Sequence, residues 1–243
     1  MDDKEKRQRL QNSYDTVAEE YARRIYDELK DKPLDRALLD RFARESLSPV
    51  VDIGTGPGHI ARYLHDRGLD VFGIDLSIEM VKRAQLLNPG LPFRQGDMLA
   101  IDAPDNAWGG ITAFYSIIHV PREAVVQALR EFKRVLRPGG LVLLAFHVGS
   151  ETRHIEDFFG LPVSLDFAFF TAAEMHGYLE AAGLEVVETI ERDPYPEVEH
   201  QSQRCYIFAR KTLNRSTYPT IQVMSGINLT TLPALQTTKN PVY

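Results

Sequence analysis

The stretch that decides the fold is VVDIGTGPG at residues 50–58, a short apolar strand that runs directly into a glycine-dense turn. Glycine is needed where the chain takes a positive φ, or where a ligand must approach main-chain atoms with no Cβ in the way. A second apolar strand ends in Asp75, roughly 20 residues after the turn, which is the separation at which a carboxylate grips a ribose. Together the turn and the acid predict a pocket for a nucleoside-type cofactor.

Composition bounds the class of protein. The 243-residue chain is 44% hydrophobic and 26% charged, which is ordinary for one globular α/β domain. Its net charge of -6 disfavours a nucleic-acid backbone as the main partner, because such binding needs clustered cations. Cys205 is the only cysteine and the start Met1–Arg7 is charged, so a disulfide framework and a signal peptide are not expected. No apolar run is long enough to span a bilayer. We therefore expect a cytoplasmic protein without a membrane span.

The chain divides into three parts. Two amphipathic helices are predicted in residues 1–47, where they would form a helical cap on the same domain. Strands and helices then alternate through 48–211, which predicts parallel strands joined by right-handed crossovers with helices on both faces. Two long segments, 149–170 and 192–203, interrupt this rhythm, and such loops often carry substrate contacts. Residues 212–243, rich in Thr, Asn and Pro, are predicted to be a loosely ordered tail.

Several short segments form an ordered set. They are Asp52–Gly58 as acid-x-Gly-x-Gly-x-Gly, Asp75–Ser77 after the second strand, Gly96–Met98 after the third, Ala113–His119 at the fourth, and Arg134–Gly140 before the fifth. In this combination residues 12–211 resemble a class I S-adenosylmethionine-dependent methyltransferase. The pattern Tyr14-Asp15-x-x-Ala18-x-x-Tyr21 is similar to the lid helix of small-molecule enzymes related to those of ubiquinone and menaquinone biosynthesis.

The resemblance implies both a fold and a cofactor. The fold is a doubly wound, Rossmann-like α/β fold, whose seven-stranded, mostly parallel sheet has an antiparallel last strand and an N-terminal helical lid. Residues 205–210 would be that last strand, with Cys205 in the core. The cofactor is S-adenosyl-L-methionine and its product S-adenosyl-L-homocysteine. The cofactor-binding residues implied are Tyr14, Tyr21, Asp52, Gly54, Thr55, Gly56, Gly58, Asp75, Leu76, Asp97, Met98, Phe114 and Tyr115.

Individual roles follow from the same resemblance. Asp75 would accept hydrogen bonds from both ribose hydroxyls, and Asp97 would accept one from the adenine amine while the backbone N–H of Met98 faces the ring. Asp52 would either favour the ammonium group of the cofactor or cap the amides of its own turn. Tyr14 lies two helical turns from Tyr21 on one face, so this pair would either close over the cofactor or pack the helix on the core.

Methyl transfer from a sulfonium is an in-line displacement, so the protein mainly positions the reactants and excludes water. If the acceptor must lose a proton, histidine is the natural base. His119 follows the fourth strand and His147 the fifth, and each is a candidate catalytic residue or an ordinary structural group. No acid cluster suggests a metal site. The acceptor is expected to be a small organic molecule with an apolar body. A pocket for it, or simply a packed insertion, would come from Phe158, Phe159, Leu161, Phe167, Phe169 and Phe170.

Two other interpretations remain open at this point. A nicotinamide-dependent oxidoreductase also uses a strand, a glycine turn and a terminal acid, but its pattern is Gly-x-Gly-x-x-Gly, whereas residues 54–58 read Gly-x-Gly-x-Gly. A non-catalytic module of the same fold would bind the cofactor without turnover. Binding of NADH without S-adenosylmethionine would favour the first alternative, and tight cofactor binding without product would favour the second. The acceptor atom and the oligomeric state do not follow from the sequence.

Overall fold

The computed structural model describes residues 3–213. The predicted tail therefore lies, apart from Thr212 and Leu213, outside the described residues. Within the described part of the chain, no helix combines the length and the apolarity that crossing a membrane requires.

Helices and strands alternate after two leading helices. The leading helices are α1 (Asp3–Ile25) and α2 (Pro33–Glu45), separated by a 3-10 turn at Glu28–Asp31. Proline at the first position of α2 suits a helix start, where its missing N–H is not needed. The other elements are β1 (Val50–Ile53), α3 (His59–His65), β2 (Val71–Asp75), α4 (Ile78–Leu87), β3 (Phe93–Gln95), β4 (Trp108–Phe114), a 3-10 turn (Ile117–His119), α5 (Arg122–Val135), β5 (Leu136–His147), β6 (Thr152–Phe158), β7 (Leu161–Ala168), α6 (Ala172–Ala182), β8 (Glu185–Arg192) and β9 (Arg204–Arg210).

The main sheet has seven strands in the order β3-β2-β1-β4-β5-β9-β8. The first five are parallel, and β9 is antiparallel to both of its neighbours. The strand order reverses direction at β1, and in such sheets ligands bind beyond the carboxyl ends of the strands at that point. The predicted fold class is confirmed, including the antiparallel position of residues 205–210.

Side chains of β5 divide the core into two layers. Val142, Leu144 and Phe146 pack in a cluster with α5 and α6, while Leu141 and Leu143 pack in the opposite cluster with α2, α3 and α4. This alternation is the period-two pattern of a strand buried on both faces. The fully buried Cys205 belongs to the first cluster, as expected for a core residue.

Two regions differ from the sequence-based expectation. The segment at residues 149–170 contains a separate hairpin, β6–β7, whose turn residues Phe159 and Gly160 both take positive φ (61° and 81°) as a two-residue hairpin turn requires. Strand β5 begins at Leu136 and not near Leu141, because Leu136 already pairs with Trp108 of β4 across a register shift.

Candidate active site

Two adjoining cavities open at the carboxyl ends of the parallel strands. The small cavity, about 110 Å³, is lined on one side by Asp75, Leu76, Asp97, Met98 and Leu99. The large cavity, about 1260 Å³, lies toward the 3-10 turn at Glu28–Asp31, the β6–β7 hairpin and the loop before β9. The residues that line both cavities are Tyr14, Tyr21, Gly54, Gly56, Phe114, Tyr115 and His119. These shared residues mark the junction at which a ligand in one cavity would meet a ligand in the other.

The glycine turn after β1 supplies bare backbone at that junction. Gly54 takes φ +70°, and a Cβ there would lie 2.2 Å from the Cβ of Ser116, so packing excludes any side chain. Gly56 takes φ +51°, and a Cβ there would meet only the ring of Tyr21 at 3.7 Å. Gly56 therefore leaves main-chain atoms open to the cavities. Gly58, predicted to approach the cofactor, instead packs toward α4 and lines neither cavity.

Asp75, the last residue of β2, is hydrogen-bonded to this turn. Its Oδ2 accepts from the backbone N–H of Gly56 at 2.8 Å, and its Oδ1 accepts from the N–H of Ser77 at 2.9 Å. Desolvation by burial raises the pKa of Asp75 to about 6 despite these two hydrogen bonds, and the nearby carboxylates of Asp52 and Asp15 also raise it. A carboxylate offers about four acceptor sites, so two remain for a ligand in the small cavity.

Asp52 is fully buried at the end of β1. Its oxygens accept hydrogen bonds from the hydroxyls of Thr55 (2.7 Å) and Thr112 (2.8 Å). Burial raises the pKa of this carboxyl, and the two hydroxyls oppose the effect. Asp52 and Thr55 both line the large cavity. The two threonine hydroxyls take two of the roughly four acceptor sites of this carboxylate.

Helix α1 lies across the small cavity through polar contacts on both sides. The Oδ1 of Asp15 accepts from the hydroxyl of Ser77 at 2.5 Å and from the N–H of Glu79 at 3.2 Å, at the start of α4. Arg7 pairs with Asp97 at 3.2 Å, between Nη1 and Oδ2. The predicted lid helix is therefore docked, and Asp97, predicted to face adenine, also holds α1.

Tyr14 and His119 form a buried polar pair within the junction. The Tyr14 hydroxyl lies 2.6 Å from Nε2 of His119, and Nδ1 of His119 lies 3.1 Å from the backbone carbonyl oxygen of Asp166. A carbonyl oxygen can only accept, so Nδ1 carries the proton and Nε2 accepts from the tyrosine hydroxyl. Burial lowers the pKa of His119 to about 4, which keeps the ring neutral at physiological pH.

The residue after β4 has an unusual backbone conformation. Tyr115 takes φ +51°, in the left-handed region, while its N–H still bonds the carbonyl of Ala145 at 2.8 Å. Such conformations in residues other than glycine cluster at functional sites. The Tyr115 ring reaches both cavities, and its hydroxyl lies 3.2 Å from that of Tyr206.

The large cavity has one aromatic wall and one charged wall. The hairpin supplies the aromatic wall, where the rings of Phe158 and Phe159 stack with centroids 4.1 Å apart. The other apolar residues on this wall are Ile155 and Phe167 of the hairpin and Phe169, which follows β7. Leu161 and Phe170, also expected to line a pocket, do not line either cavity.

Charged residues from two distant segments make the opposite wall. Lys32 lies 2.7 Å from Glu28 and 3.5 Å from Glu199, and Arg204 lies 3.3 Å from Glu199. Burial acts to raise the pKa of Glu28, but His59 and Lys32 bring it down to about 2. No sequence motif surrounds these residues: Glu28 and Lys32 precede α2, Glu199 lies in the loop before β9, and Arg204 begins β9.

His147, the second candidate base, stands at the end of β5 and lines the large cavity. Its Nδ1 lies 2.9 Å from the hydroxyl of Ser202. Burial, with the positive charge of Arg204 and the proximity of His200, lowers its pKa to about 3. Among residues 3–213 no group of three or more His, Cys, Asp or Glu side chains is placed to hold a metal ion.

Comparison with known proteins identifies the central part of the chain. Residues 50–140 match the family model described as a methyltransferase domain. A malonyl-[acyl-carrier protein] O-methyltransferase of Enterobacter lignolyticus is 31% identical over 121 residues, which is 48% of this chain and 45% of that protein. A demethylmenaquinone methyltransferase of Renibacterium salmoninarum is 32% identical over 110 residues, which is 45% of this chain and 46% of that protein. The chain thus matches less than half the length of these curated relatives.

The fold is also found among solved structures. The crystal structure of a S-adenosylmethionine-dependent methyltransferase of Methanosarcina mazei superposes with a TM-score of 0.61. The two chains are 19% identical, and the superposition covers 68% of this chain and 92% of the Methanosarcina chain. At this identity the likeness concerns the architecture alone.

Proposed function

We propose that this chain, a class I S-adenosylmethionine-dependent methyltransferase by its domain and fold, moves a methyl group from that cofactor to a small organic acceptor by in-line displacement. The observation that carries the proposal is the arrangement of Gly56 and Asp75. Bare backbone and a carboxylate with free acceptor sites meet where the small cavity joins the large one. The small cavity would hold the adenosine part of the cofactor, and the large cavity the methionine part and the acceptor.

The residues present fit this cofactor. Asp75 would bind the ribose hydroxyls through its two remaining acceptor sites, while Leu76, Met98 and Leu99 offer an apolar slot to a flat base. Asp97 would accept from the adenine amine. When bound, the cofactor supplies an electrophilic methyl group on a sulfonium that is itself an excellent leaving group. The chain itself binds and orients the cofactor and the acceptor and excludes water, and it needs no covalent nucleophile.

Proton removal from the acceptor would use the Tyr14–His119 pair. Because Nε2 of His119 accepts from the tyrosine hydroxyl, a proton leaving the acceptor would pass to the Tyr14 oxygen while the tyrosine proton moves to Nε2. The backbone carbonyl of Asp166 accepts the hydrogen bond of Nδ1–H and so stabilises the imidazolium that results. A hydroxyl or carboxyl oxygen that gains a methyl group before it loses its proton becomes strongly acidic, so for an oxygen acceptor even a base with a pKa near 4 suffices.

The acceptor is proposed to be small and to carry an apolar body that lies against the hairpin phenylalanines. The two curated relatives are named for methyl transfer to a malonyl group carried by a protein and to demethylmenaquinone. Both names are compatible with a small acceptor group. The net charge of -6 supports an acceptor other than nucleic acid. A single cysteine, buried in the core, supports a reducing cytoplasm as the location.

Transfer of label tests the proposal. The full-length protein is incubated with S-adenosylmethionine that carries a radiolabelled methyl group and with a small-molecule extract of cells, and labelled products are separated. Asp75→Ala serves as the matched inactive variant. We expect a labelled organic product that depends on Asp75. Tight binding of S-adenosylhomocysteine with no labelled product in any extract would favour a non-catalytic module.

A further inference from the structure

His147, at the end of β5, lines the large cavity with one ring nitrogen that has no hydrogen-bond partner among residues 3–213. The residue pairs with Arg204 across β5 and β9, and its ring lies beside those of Tyr115 and Phe169, each with centroids 5.2 Å away. Nδ1 is bonded to Ser202, whereas no hydrogen-bond partner of Nε2 is present among residues 3–213. Nε2 is therefore the ring atom available to a ligand.

The neighbours of Ser202 decide which nitrogen of His147 carries the proton. Nη1 of Arg204 donates to the Ser202 hydroxyl oxygen at 2.5 Å, because a guanidinium has donors only. The single proton of that hydroxyl must then be donated elsewhere. The Nδ1 of His147 at 2.9 Å is nearer than the Nδ1 of His200 at 3.3 Å. The shorter contact assigns the hydroxyl proton to Nδ1 of His147, and the neutral ring then carries its own proton on Nε2.

This assignment is the opposite of that for His119. There Nδ1 donates to the carbonyl of Asp166, which leaves Nε2 as an acceptor. His119 and His147, two of the histidines that line the large cavity, are consequently held in different tautomers by their neighbours. His119 can take a proton, and His147 can give a hydrogen bond.

Electrostatics at His147 agree with a donor role. Burial, Arg204 and His200 together lower the pKa of this ring, so a positive charge on the imidazole is disfavoured at this end of the cavity. The guanidinium of Arg204, which is also paired with Glu199, favours an oxygen that bears negative charge. The hydrogen bond from His147 to such an oxygen would be strengthened by the guanidinium of Arg204, which is linked to His147 by two successive hydrogen bonds through Ser202.

We propose that the Nε2–H of His147 binds a carboxylate or carbonyl oxygen of the acceptor, whose flat apolar body lies along Phe169 and Tyr115. His147 is then a specificity-determining residue and not the base. The inference rests on the proposed function in placing the acceptor in the large cavity. It adds the chemical class of that acceptor, which is a planar apolar molecule with an sp² oxygen remote from the methylated atom.

The tautomer can be measured without any turnover. The full-length protein labelled with ¹⁵N-histidine is studied by long-range ¹H–¹⁵N correlation NMR at neutral pH, with His147→Phe and His119→Phe used to assign the two rings. We expect His147 to be protonated at Nε2 and His119 at Nδ1. A proton on Nδ1 of His147, or a doubly protonated ring, would overturn the inference and leave the proposed methyl transfer untouched.

Binding of matched probes tests the class of ligand. Calorimetry with saturating S-adenosylhomocysteine compares 2-naphthoate, 2-acetylnaphthalene and 2-ethylnaphthalene, which share a body but differ in the sp² oxygen. We expect His147→Phe, which keeps a ring against Phe169, to weaken binding of the oxygen-bearing probes about tenfold and that of 2-ethylnaphthalene less than about twofold. His147→Gln, which retains an N–H donor, should recover much of the loss.

Each other outcome is decisive. Equal losses for all three probes would mean that His147 only packs, and failure of the wild-type protein to prefer the oxygen-bearing probes would refute the subsite. A preference for 2-naphthoate over 2-acetylnaphthalene identifies the carboxylate as the source of the oxygen, and the reverse identifies a carbonyl. If S-adenosylhomocysteine itself fails to bind, the proposed function fails, while the NMR result still decides the tautomer.

Discussion

Replacement of Asp75 by alanine probes the proposed cofactor site at one carboxylate. In the ligand-free protein this side chain accepts two backbone hydrogen bonds, from Gly56 and Ser77, and it retains two acceptor sites toward the small cavity. A ribose would use those two sites. Hydrogen bonds to a charged group contribute about 1.5–3 kcal/mol each, so losing both should weaken binding of S-adenosylhomocysteine by well over tenfold, and by about 150-fold at the lower estimate.

The stability of the ligand-free protein should respond differently. The pKa of Asp75 is raised from its ordinary 3.8 to about 6, chiefly by desolvation. An acid whose folded pKa lies above its unfolded value lowers stability as pH rises from about 4 to 6, and a shift of this size corresponds to about 3 kcal/mol at neutral pH. Removing the carboxylate eliminates this cost while it sacrifices two backbone contacts. We therefore expect the melting temperature to change little.

Calorimetric titration with S-adenosylhomocysteine at pH 7.5, together with thermal unfolding, measures both effects. Asp66→Ala is the matched control, because Asp66 is an exposed carboxylate at the end of α3 that lines neither cavity. It should bind like the wild type. A folded Asp75→Ala protein with an unchanged dissociation constant would refute the assignment of the ribose site.

Three further predictions address the pH dependence, the turn and the proton path. Because ionised Asp75 is the binding form and its pKa is about 6, the dissociation constant for S-adenosylhomocysteine should rise as pH falls below 6, by up to about tenfold per unit; a flat calorimetric profile from pH 7.5 to 5 would contradict this. Gly54→Ala should lower the free energy of unfolding by about 2–4 kcal/mol in denaturant titrations, because the added Cβ collides with Ser116. Gly56→Ala should lower it by only about 1 kcal/mol, yet it should weaken cofactor binding more than Gly54→Ala does. Tyr14→Phe should lower kcat about 100-fold with the affinity for S-adenosylhomocysteine nearly unchanged. Tyr26→Phe, which changes a tyrosine that lines neither cavity, is the control, and a Tyr14→Phe protein with the kcat of the wild type would remove the proton relay.

The regular part of the fold could be predicted because its signals are local. Nine consecutive residues, 50–58, are enough to predict strand β1 and its glycine turn. The β6–β7 hairpin could not be found in the same way. Most side chains of β6 are exposed, so the strand lacks the apolar alternation by which a sequence predicts a half-buried strand.

The residues of the candidate site also differ in whether a local sequence motif identifies them. Asp75 was identified because a motif surrounds it, and the structure places it at the small cavity. Lys32, Ser202 and Arg204 were missed, because their importance arises only when β9 pairs with β5 and α2 folds against the sheet. The two histidines were both found as candidates, but their different tautomers depend on backbone and hydroxyl partners far away in the sequence. Roles that depend on tertiary neighbours require coordinates.

The most direct test of the central claim is a crystal structure of the protein with S-adenosylhomocysteine bound. We expect the adenosine part in the small cavity, with both ribose hydroxyls within about 3 Å of the Asp75 carboxylate oxygens. The sulfur atom should lie at the junction lined by Tyr14 and Tyr115, with the large cavity open in front of it. Electron density for the ligand at any other place, or a ribose with no contact to Asp75, would contradict the account.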